Sequence, residues 1–238
     1  MRLTTMTRAH LPLAFAAALL LAAPFVHAQA SVPPGQGDAF RDTSSLKLPA
    51  DATKGVAIYE FEDLECPACA RAFPIVHSAV EKYQIPLIRH DFPLQMHVWS
   101  REAAITARYL QDKVSPATAE QYRRDVFANQ TAIASKDDLA GYTQRWFSQH
   151  KLQVPFALGP NSLFAAEVQA DYTLGERIGL RETPSIFVLT GKGWIQIKDI
   201  TQLYATLDQA LAEAKAHQPV AAHSTARKPA AGTTTPKS

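Results

Sequence analysis

The 238-residue sequence contains very little cysteine: the only two, Cys66 and Cys69, are separated by two residues. A secreted domain that depends on disulfides for its stability carries several pairs along the chain. Here a disulfide would close a loop of about four residues, and such short loops constrain the unfolded chain least. The sequence therefore argues against a disulfide framework and favours a cysteine pair kept for its reactivity.

A strong excess of one charge is also absent, because 24 Lys and Arg residues stand against 22 Asp and Glu residues. The basic residues are dispersed, so the sequence lacks the footprint of a nucleic-acid-binding protein. Hydrophobic residues make up 47% of the chain, which predicts a globular domain with a hydrophobic core rather than a disordered chain.

The N-terminal apolar run, residues 11–23, is shorter than the roughly 20 residues that a membrane-spanning helix needs. Basic residues precede this run, Pro24 interrupts its end, and small residues surround Ala28. This pattern is typical of a secretory signal peptide rather than of a retained membrane anchor. Residues 1–28 are therefore predicted to be cleaved, which places the mature protein in the periplasm, where disulfides persist.

The first half of the mature chain combines an arm, two strands and a helix. Residues 29–54, rich in Pro, Gly, Ser and Asp, predict an N-terminal arm. The β-branched and aromatic residues 56–61 predict a buried strand, and residues 86–93 predict a second strand. A helix is predicted from about Cys66, with Pro67 in its first turn, where the missing N–H does no harm. Two strands joined through a helix favour a parallel pair with a right-handed crossover.

Residues 99–178 are too many for an ordinary loop, and their apolar spacing predicts a helical insertion. Four helical segments are predicted within it, at residues 103–110, 119–127, 139–147 and 163–178. A β-hairpin is predicted over residues 185–197, followed by an amphipathic helix from Thr201 to about Ala216. Residues 217–238 carry few large apolar groups and are predicted to be disordered. The order of elements predicts an α/β fold with an inserted helical domain.

The spacing of the two cysteines suits disulfide exchange, which needs an attacking thiolate, a resolving thiol and access for a partner. Cys66 is predicted at the N-terminus of a helix, where free N–H groups and the helix dipole stabilise negative charge and lower a thiol pKa. Cys69 follows one turn later, within disulfide reach but more buried. The pattern predicts Cys66 as the attacking nucleophile and Cys69 as the resolving thiol.

Metal binding and haem attachment are weaker interpretations of the cysteine pair. A zinc site needs about two further ligands, and His77, His90 and His97 lack the paired spacing of such sites. Covalent haem attachment needs a histidine directly after the second cysteine, where Ala70 stands. A copper(I) chaperone would use the two thiolates as soft ligands, but no methionine or histidine cluster accompanies them. We therefore expect neither a metal site nor a cofactor.

Two motifs resemble the DsbA-like branch of the thioredoxin superfamily: Tyr59-Glu-Phe-Glu-Asp-Leu-Glu-Cys-Pro-Ala-Cys and, further along, Glu182-Thr-Pro-Ser-Ile-Phe-Val. The resemblance extends over about residues 56–214. It implies a thioredoxin-like fold whose two parts, residues 55–98 and 179–216, are separated by the helical insertion. It also implies an enzyme, a protein thiol:disulfide oxidoreductase.

The resemblance assigns roles to five further residues. Pro184 matches the family's cis-proline beside the cysteine pair, and Thr183 before it would form backbone hydrogen bonds with an extended substrate. Pro67 and Ala68, between the cysteines, would also contact the substrate. Glu60 matches a buried acid beneath the active site, which can exchange a proton with the resolving thiol. The alternative for Glu60 is a solvated charge near the end of a strand.

Ala68 departs from the family pattern, because the strongly oxidising members carry a histidine between the two cysteines. Without the donor groups of that histidine, we expect a higher pKa for Cys66 and a less oxidising disulfide. The predicted reduction potential lies between about −270 and −120 mV.

The remaining acidic and imidazole side chains near the motif receive no catalytic role. Glu62, Asp63 and Glu65 are predicted to form the solvated rim of a loop, and they would oppose the thiolate if they lay close to it. The three histidines named above are predicted to be surface histidines or histidines with their hydrogen bonds satisfied.

The resemblance implies an oxidase that introduces disulfides into exported proteins with free thiols and is then reoxidised by a membrane redox partner. The alternative is a reductase or isomerase that a different membrane donor keeps reduced. Isomerases of this superfamily usually carry a dimerisation domain before the thioredoxin module, and the arm is too short to form one. This argues against the isomerase but not against the reductase. A monomer is expected.

Overall fold

The computed structural model describes residues 40–155, 159 and 162–217. The predicted signal peptide, residues 29–39 of the predicted arm and residues 218–238 of the predicted tail lie outside the described residues. Within the part that is described, no helix is long and apolar enough to cross a membrane.

In the part of the chain that the structure describes, four strands form one sheet in the order β2-β1-β3-β4. The strands are β1 (Val56–Glu62), β2 (Leu87–Asp91), β3 (Ser185–Thr190) and β4 (Gly193–Ile197). Strand β1 is central and pairs in parallel with β2 and antiparallel with β3. Strands β3 and β4 form an antiparallel hairpin. The predicted parallel pair and the predicted hairpin are both confirmed.

Within the described residues, six α-helices accompany the sheet. They are α1 (Pro67–Tyr83), α2 (Ser100–Lys113), α3 (Pro116–Asn129), α4 (Lys136–Gln149), α5 (Leu163–Ile178) and α6 (Leu203–His217). Three of these helices begin after a serine whose hydroxyl accepts a backbone N–H of the first turn, at Ser115, Ser135 and Ser162, as expected of good N-cap residues. Helix α1 continues through Pro74. Helices α2 to α5 lie between β2 and β3, so the predicted α/β fold with a helical insertion is confirmed.

The two faces of the sheet carry separate hydrophobic clusters, because side chains alternate along a strand. Val56 and Ile58 of β1 pack with residues of α1 and α6. Tyr59 and Phe61 pack on the opposite face with residues of β3 and α5. Part of the predicted arm covers this second face, where the ring of Phe40 contacts two aromatic rings of the hairpin.

Both cysteines belong to a third cluster, formed where the helical insertion packs against α1. Its members include Leu64, Phe73 and Trp99. The insertion therefore supplies part of the apolar surroundings of the cysteine pair.

Candidate active site

Cys66 is the N-cap residue of α1, and its backbone is extended, with φ −79° and ψ 119°. No side chain caps this end of the helix, and Pro67 occupies the first helical position without an N–H. The first turn therefore offers its remaining N–H groups to the sulfur of Cys66. Cys69 lies one turn later and is 1% exposed, against 6% for Cys66, so the predicted order of burial is confirmed.

The two thiols have opposite acidities. A hydrogen bond from the Cys69 thiol is the largest cause that lowers the pKa of Cys66 to about 5. The Thr183 side chain and the backbone N–H groups of Cys69 and Ala68 lower it further, against the opposing effect of burial. Burial raises the pKa of Cys69 well above its ordinary value, and the hydrogen bond with Cys66 acts in the same direction. At neutral pH Cys66 is thus a thiolate and Cys69 a thiol.

The loop before β3 brings a second segment of the chain to the cysteines. The carbonyl oxygen of Thr183 lies 3.3 Å from the Cys66 sulfur, and the Thr183–Pro184 peptide bond is cis. Thr183 is 8% exposed, whereas Pro67 is exposed and Ala68 is half-buried. The structure therefore gathers these residues around Cys66, and their roles toward a substrate stay predictions.

Glu60 is buried in the sheet, with 1% of its surface exposed. Burial, reinforced by the negative charge of Glu62, raises the pKa of Glu60 to about 8. Glu60 lies on the same face of β1 as Ile58, the face that α1 covers, because it follows two residues later. A carboxyl that can hold a proton at neutral pH therefore lies beneath the helix that carries Cys69.

The prediction of a solvated acidic rim is wrong. Glu62 and Asp63 are each 2% exposed, and Glu65 is half-buried. Each carboxylate is buried because it meets a donor from a distant part of the chain. Arg123 of α3 donates to Glu62 Oε1 at 2.7 Å, and the backbone N–H of Trp99 donates to Glu65 Oε2 at 2.6 Å.

Asp63 contacts both Cys69 and the connection between β2 and α2. Its backbone N–H donates to the Cys69 sulfur at 3.5 Å. Its carboxylate accepts the backbone N–H of Leu94 at 2.6 Å and lies 2.7 Å from Nδ1 of His97. Asp63 therefore holds the segment between β2 and α2 close to the resolving cysteine, Cys69.

Arg123 is a residue of this site that sequence reasoning missed. It is 1% exposed and donates to Glu62 of β1 and to Asp91 of β2, each at 2.7 Å. One signal was present in the sequence: Arg123 lies on the same helical face as the buried Ala119 and Tyr122, where a charge needs a partner.

Each of the three histidines near the motif has a partner, although Nε2 of His90 is buried without a hydrogen-bond partner among the described residues. His77 lies 2.7 Å from Glu120, His90 2.6 Å from Asp171, and His97 contacts Asp63. Among the residues that the structure describes, no group of three or more His, Cys, Asp or Glu side chains is placed to hold a metal ion.

Comparison with known proteins identifies the family and the fold. A family model described as thioredoxin matches residues 51–209, and no curated protein matches the chain. Alpha-DsbA1 of Wolbachia pipientis is similar in structure, with a TM-score of 0.57 and 17% identity over 72% of this chain and 96% of that one. ScsC of Proteus mirabilis gives a TM-score of 0.52 and 18% identity over 71% and 72% of the two chains.

A third similar structure is a periplasmic thioredoxin-like protein from Salmonella enterica serovar Typhimurium, with a TM-score of 0.52 and 20% identity over 69% of this chain and 88% of that one. At these identities the three likenesses establish a shared fold. They leave the chemistry to be argued from the residues around the cysteine pair.

Proposed function

The chain belongs to the thioredoxin family, and we propose that it is an exported thiol:disulfide oxidoreductase that exchanges disulfides with periplasmic or secreted proteins. One observation carries the proposal. The pKa of Cys66 is lowered to about 5 while that of its neighbour Cys69 is raised. A structural cysteine pair has no need of this asymmetry, whereas disulfide exchange needs one stable thiolate beside one protonated thiol.

The oxidising reaction proceeds in two exchanges. A substrate thiolate attacks the Cys66 sulfur of the Cys66–Cys69 disulfide, which forms a mixed disulfide and releases Cys69 as a thiolate that takes up a proton. A second substrate thiolate then attacks the substrate sulfur of the mixed disulfide. The substrate leaves oxidised and Cys66 leaves as a thiolate, which its low pKa makes a good leaving group. A membrane redox partner must then reoxidise the pair.

Glu60 is proposed to exchange the proton of Cys69. Its pKa of about 8 allows the carboxyl to hold a proton at neutral pH and to give it up to a nearby thiolate. In the reverse direction the carboxylate would accept the proton from Cys69 as that thiol attacks the mixed disulfide. The position of Glu60 on the face of β1 covered by α1 supports this role.

The substrate is proposed to bind as an extended segment beside the Thr183–Pro184 bond. The edge of such a loop can pair with a peptide backbone in the manner of an added strand. Pro67 and Ala68 stand between the cysteines and would contact the same segment. This arrangement selects for exposed thiols or disulfides in flexible chains rather than for one sequence.

The oxidase direction is proposed on the acidity of Cys66. Its pKa of about 5 falls between those of thioredoxin, about 7, and of the most oxidising periplasmic enzymes, about 3.5. The side chain of Ala68 carries no hydrogen-bond donor, so this residue stabilises the thiolate only through its backbone N–H. This agrees with the intermediate pKa of Cys66. The same pair would serve a reductase if a different membrane donor kept it reduced.

The periplasm is the proposed location, on the basis of the predicted signal peptide over residues 1–28. One protein of similar fold is itself described as periplasmic. The proposed partners are exported proteins with free thiols or disulfides and one membrane redox protein. The proposed active form is a monomer, because each chain carries both cysteines and Thr183.

Trapping of mixed disulfides tests the proposal. In a Cys69→Ser variant the adduct at Cys66 cannot be resolved, so exported proteins should accumulate in disulfide linkage to it. The matched Cys66→Ser variant should trap none. Equal trapping by both variants, or by neither, would contradict the proposal.

Rapid acid trapping of the unaltered protein in its native compartment distinguishes the direction. A mostly oxidised Cys66–Cys69 pair supports the oxidase, and a mostly reduced pair supports the reductase or isomerase. Stoichiometric copper on the purified protein would instead support a metallochaperone.

A further inference from the structure

A line of polar side chains leads from Glu60 to the surface of the protein. Arg89 of β2 is the cross-strand neighbour of Glu60. Its Nη1 donates to Glu120 of α3 at 2.6 Å, and its Nη2 lies 2.8 Å from Nε2 of His77 on α1. The inner end of this line is buried, whereas the side chains of His77 and Glu120 are 17% and 28% exposed.

Nε2 of His77 has two competing partners. It lies 2.8 Å from the Arg89 Nη2 donor and 2.7 Å from Glu120 Oε1, which is an acceptor. One ring nitrogen either accepts or donates, so it can satisfy only one of them at a time. When the bond runs to Arg89, Glu120 Oε1 is left without a hydrogen-bond partner among the described residues.

Arg89 and Glu60 face each other without bonding. Glu60 Oε2 and Arg89 Nε are buried and have no hydrogen-bond partner among the described residues. The two atoms are 3.9 Å apart, just beyond hydrogen-bond distance, and Arg89 Nε is 3.3 Å from Glu62 Oε1. A small inward shift of the guanidinium would close the contact with Glu60.

We propose that His77 is a positioning residue that acts on Glu60 through Arg89. The imidazole accepts the Nη2 hydrogen bond at Nε2 and, together with Glu120, holds the guanidinium outward, so that Glu60 remains without a cationic hydrogen-bond partner. Without the hydrogen bond to His77, Arg89 Nε closes onto Glu60 and stabilises its carboxylate.

Solvent reaches the outer end of this line. A cavity of about 630 Å³ is lined by side chains that include His77, Arg89, Glu120 and Arg123. The two partners that hold Arg89 outward therefore lie at the solvent-facing end of the line, whereas Nε of Arg89 is buried.

The charged surroundings of Glu60 are otherwise fixed. The groups that act on it are Glu62 from its own strand, Arg89 from β2, and Glu120 and Arg123 from α3. Arg123 is held by Glu62 and Asp91. Arg89 is therefore the cation that turns an unbonded nitrogen, Nε, toward Glu60, and His77 is the side chain of α1 that contacts it.

This inference rests on the proposed function only where Glu60 serves as the proton donor; the positioning itself is measurable without a substrate. The experiment follows the Glu60 carboxyl of the reduced mature protein by ¹³C NMR over a range of pH, with Glu60→Gln to assign the signal. In the His77→Leu variant Arg89 loses one of its two outer partners and keeps only Glu120. The Glu60 midpoint should then fall by about one pH unit, as expected for a cation brought within bonding distance.

Two further variants separate positioning from a structural effect. His77→Gln keeps an acceptor for Arg89 and should retain the original midpoint. His90→Leu removes an equally buried histidine paired with Asp171 and should leave the midpoint unchanged. An unchanged midpoint in His77→Leu, an equal fall in His90→Leu, or the same fall in His77→Gln would each overturn the inference. Because no substrate takes part, its failure is distinguishable from a failure of the mixed-disulfide test.

Discussion

The carbonyl oxygen of Thr183 lies 3.3 Å from the sulfur of Cys66, although 117 positions separate the two residues in the chain. The contact places the loop before β3 directly against the reactive thiol. The hydroxyl of Thr183 is buried and makes no hydrogen bond to another described residue, so it is available to donate to the Cys66 thiolate, an effect that lowers the pKa of Cys66. Thr183 is therefore both a neighbour of the expected substrate path and a determinant of thiol acidity.

A Thr183→Val variant should raise the pKa of Cys66, because it removes the hydroxyl and keeps the shape of the side chain. A hydrogen bond to a charged group is worth about 1.5 kcal/mol or more, so a rise of about one pH unit is expected. The measurement is the pH dependence of Cys66 alkylation. Thr190→Val, at the far end of β3, is the matched control, and a shift of equal size there would refute the local explanation.

The reduction potential should lie between those of thioredoxin and of the strongest periplasmic oxidants, about −270 and −120 mV. Introducing Ala68→His should stabilise the thiolate and make the disulfide more oxidising by about 30 mV or more, which corresponds to about 1.4 kcal/mol. Equilibration with glutathione measures both values. Ala70→His, placed just outside the pair, should have little effect. A wild-type potential at the upper limit would contradict the inference from Ala68.

Glu60 should make the folded protein less stable as the pH rises. Its pKa is raised by burial from 4.5 to about 8, so the folded state binds the proton more tightly than the unfolded state between these values. The free energy of unfolding is therefore greatest below pH 4.5 and falls as the pH rises from there to about 8. A Glu60→Gln variant should be more stable than the wild type at pH 8 by about 2–4 kcal/mol, and this gain should vanish near pH 4.

Urea unfolding at several pH values measures the effect. Glu81→Gln, an exposed substitution on α1, serves as the control and should follow the wild type. The gain in stability of Glu60→Gln over the wild type should be larger at pH 8 than at pH 4. An equal gain at both pH values would show that the carboxyl of Glu60 is not a buried, protonated acid.

Arg123 should be essential for folding stability. Replacing it with methionine removes the cation that bonds both Glu62 and Asp91 at 2.7 Å and leaves them only Arg89 and Arg108. Breaking a buried ion pair typically costs about 3–5 kcal/mol, and the lower end of that range is expected here. The exposed neighbour Arg124 provides the matched substitution, Arg124→Met, with an expected change within about 0.5 kcal/mol. Comparable unfolding midpoints for the two variants would show that the buried network is not needed.

Local patterns in the sequence were sufficient for the framework of the site. The apolar run of β1, the proline after Cys66 and the spacing of apolar residues in α1 placed both cysteines at the start of a helix, as observed. These features depend on neighbours along the chain, which the sequence displays directly.

The acidic residues after β1 could not be placed in this way. Glu62 is buried because Arg123, 61 positions away, reaches it, and Asp63 is buried because Leu94, 31 positions away, donates to it. A pairing over such distances is decided by how the helical insertion packs on the sheet. A sequence alone shows the charges and not the partners, so solvated charges were the natural and incorrect expectation.

The acidity of Cys66 is the central claim, and its rate of alkylation as a function of pH tests it most directly. The reduced protein should be alkylated at Cys66 with a midpoint near pH 5, while Cys69 stays unmodified throughout. A midpoint near that of a free cysteine, about 8.5, would contradict the account.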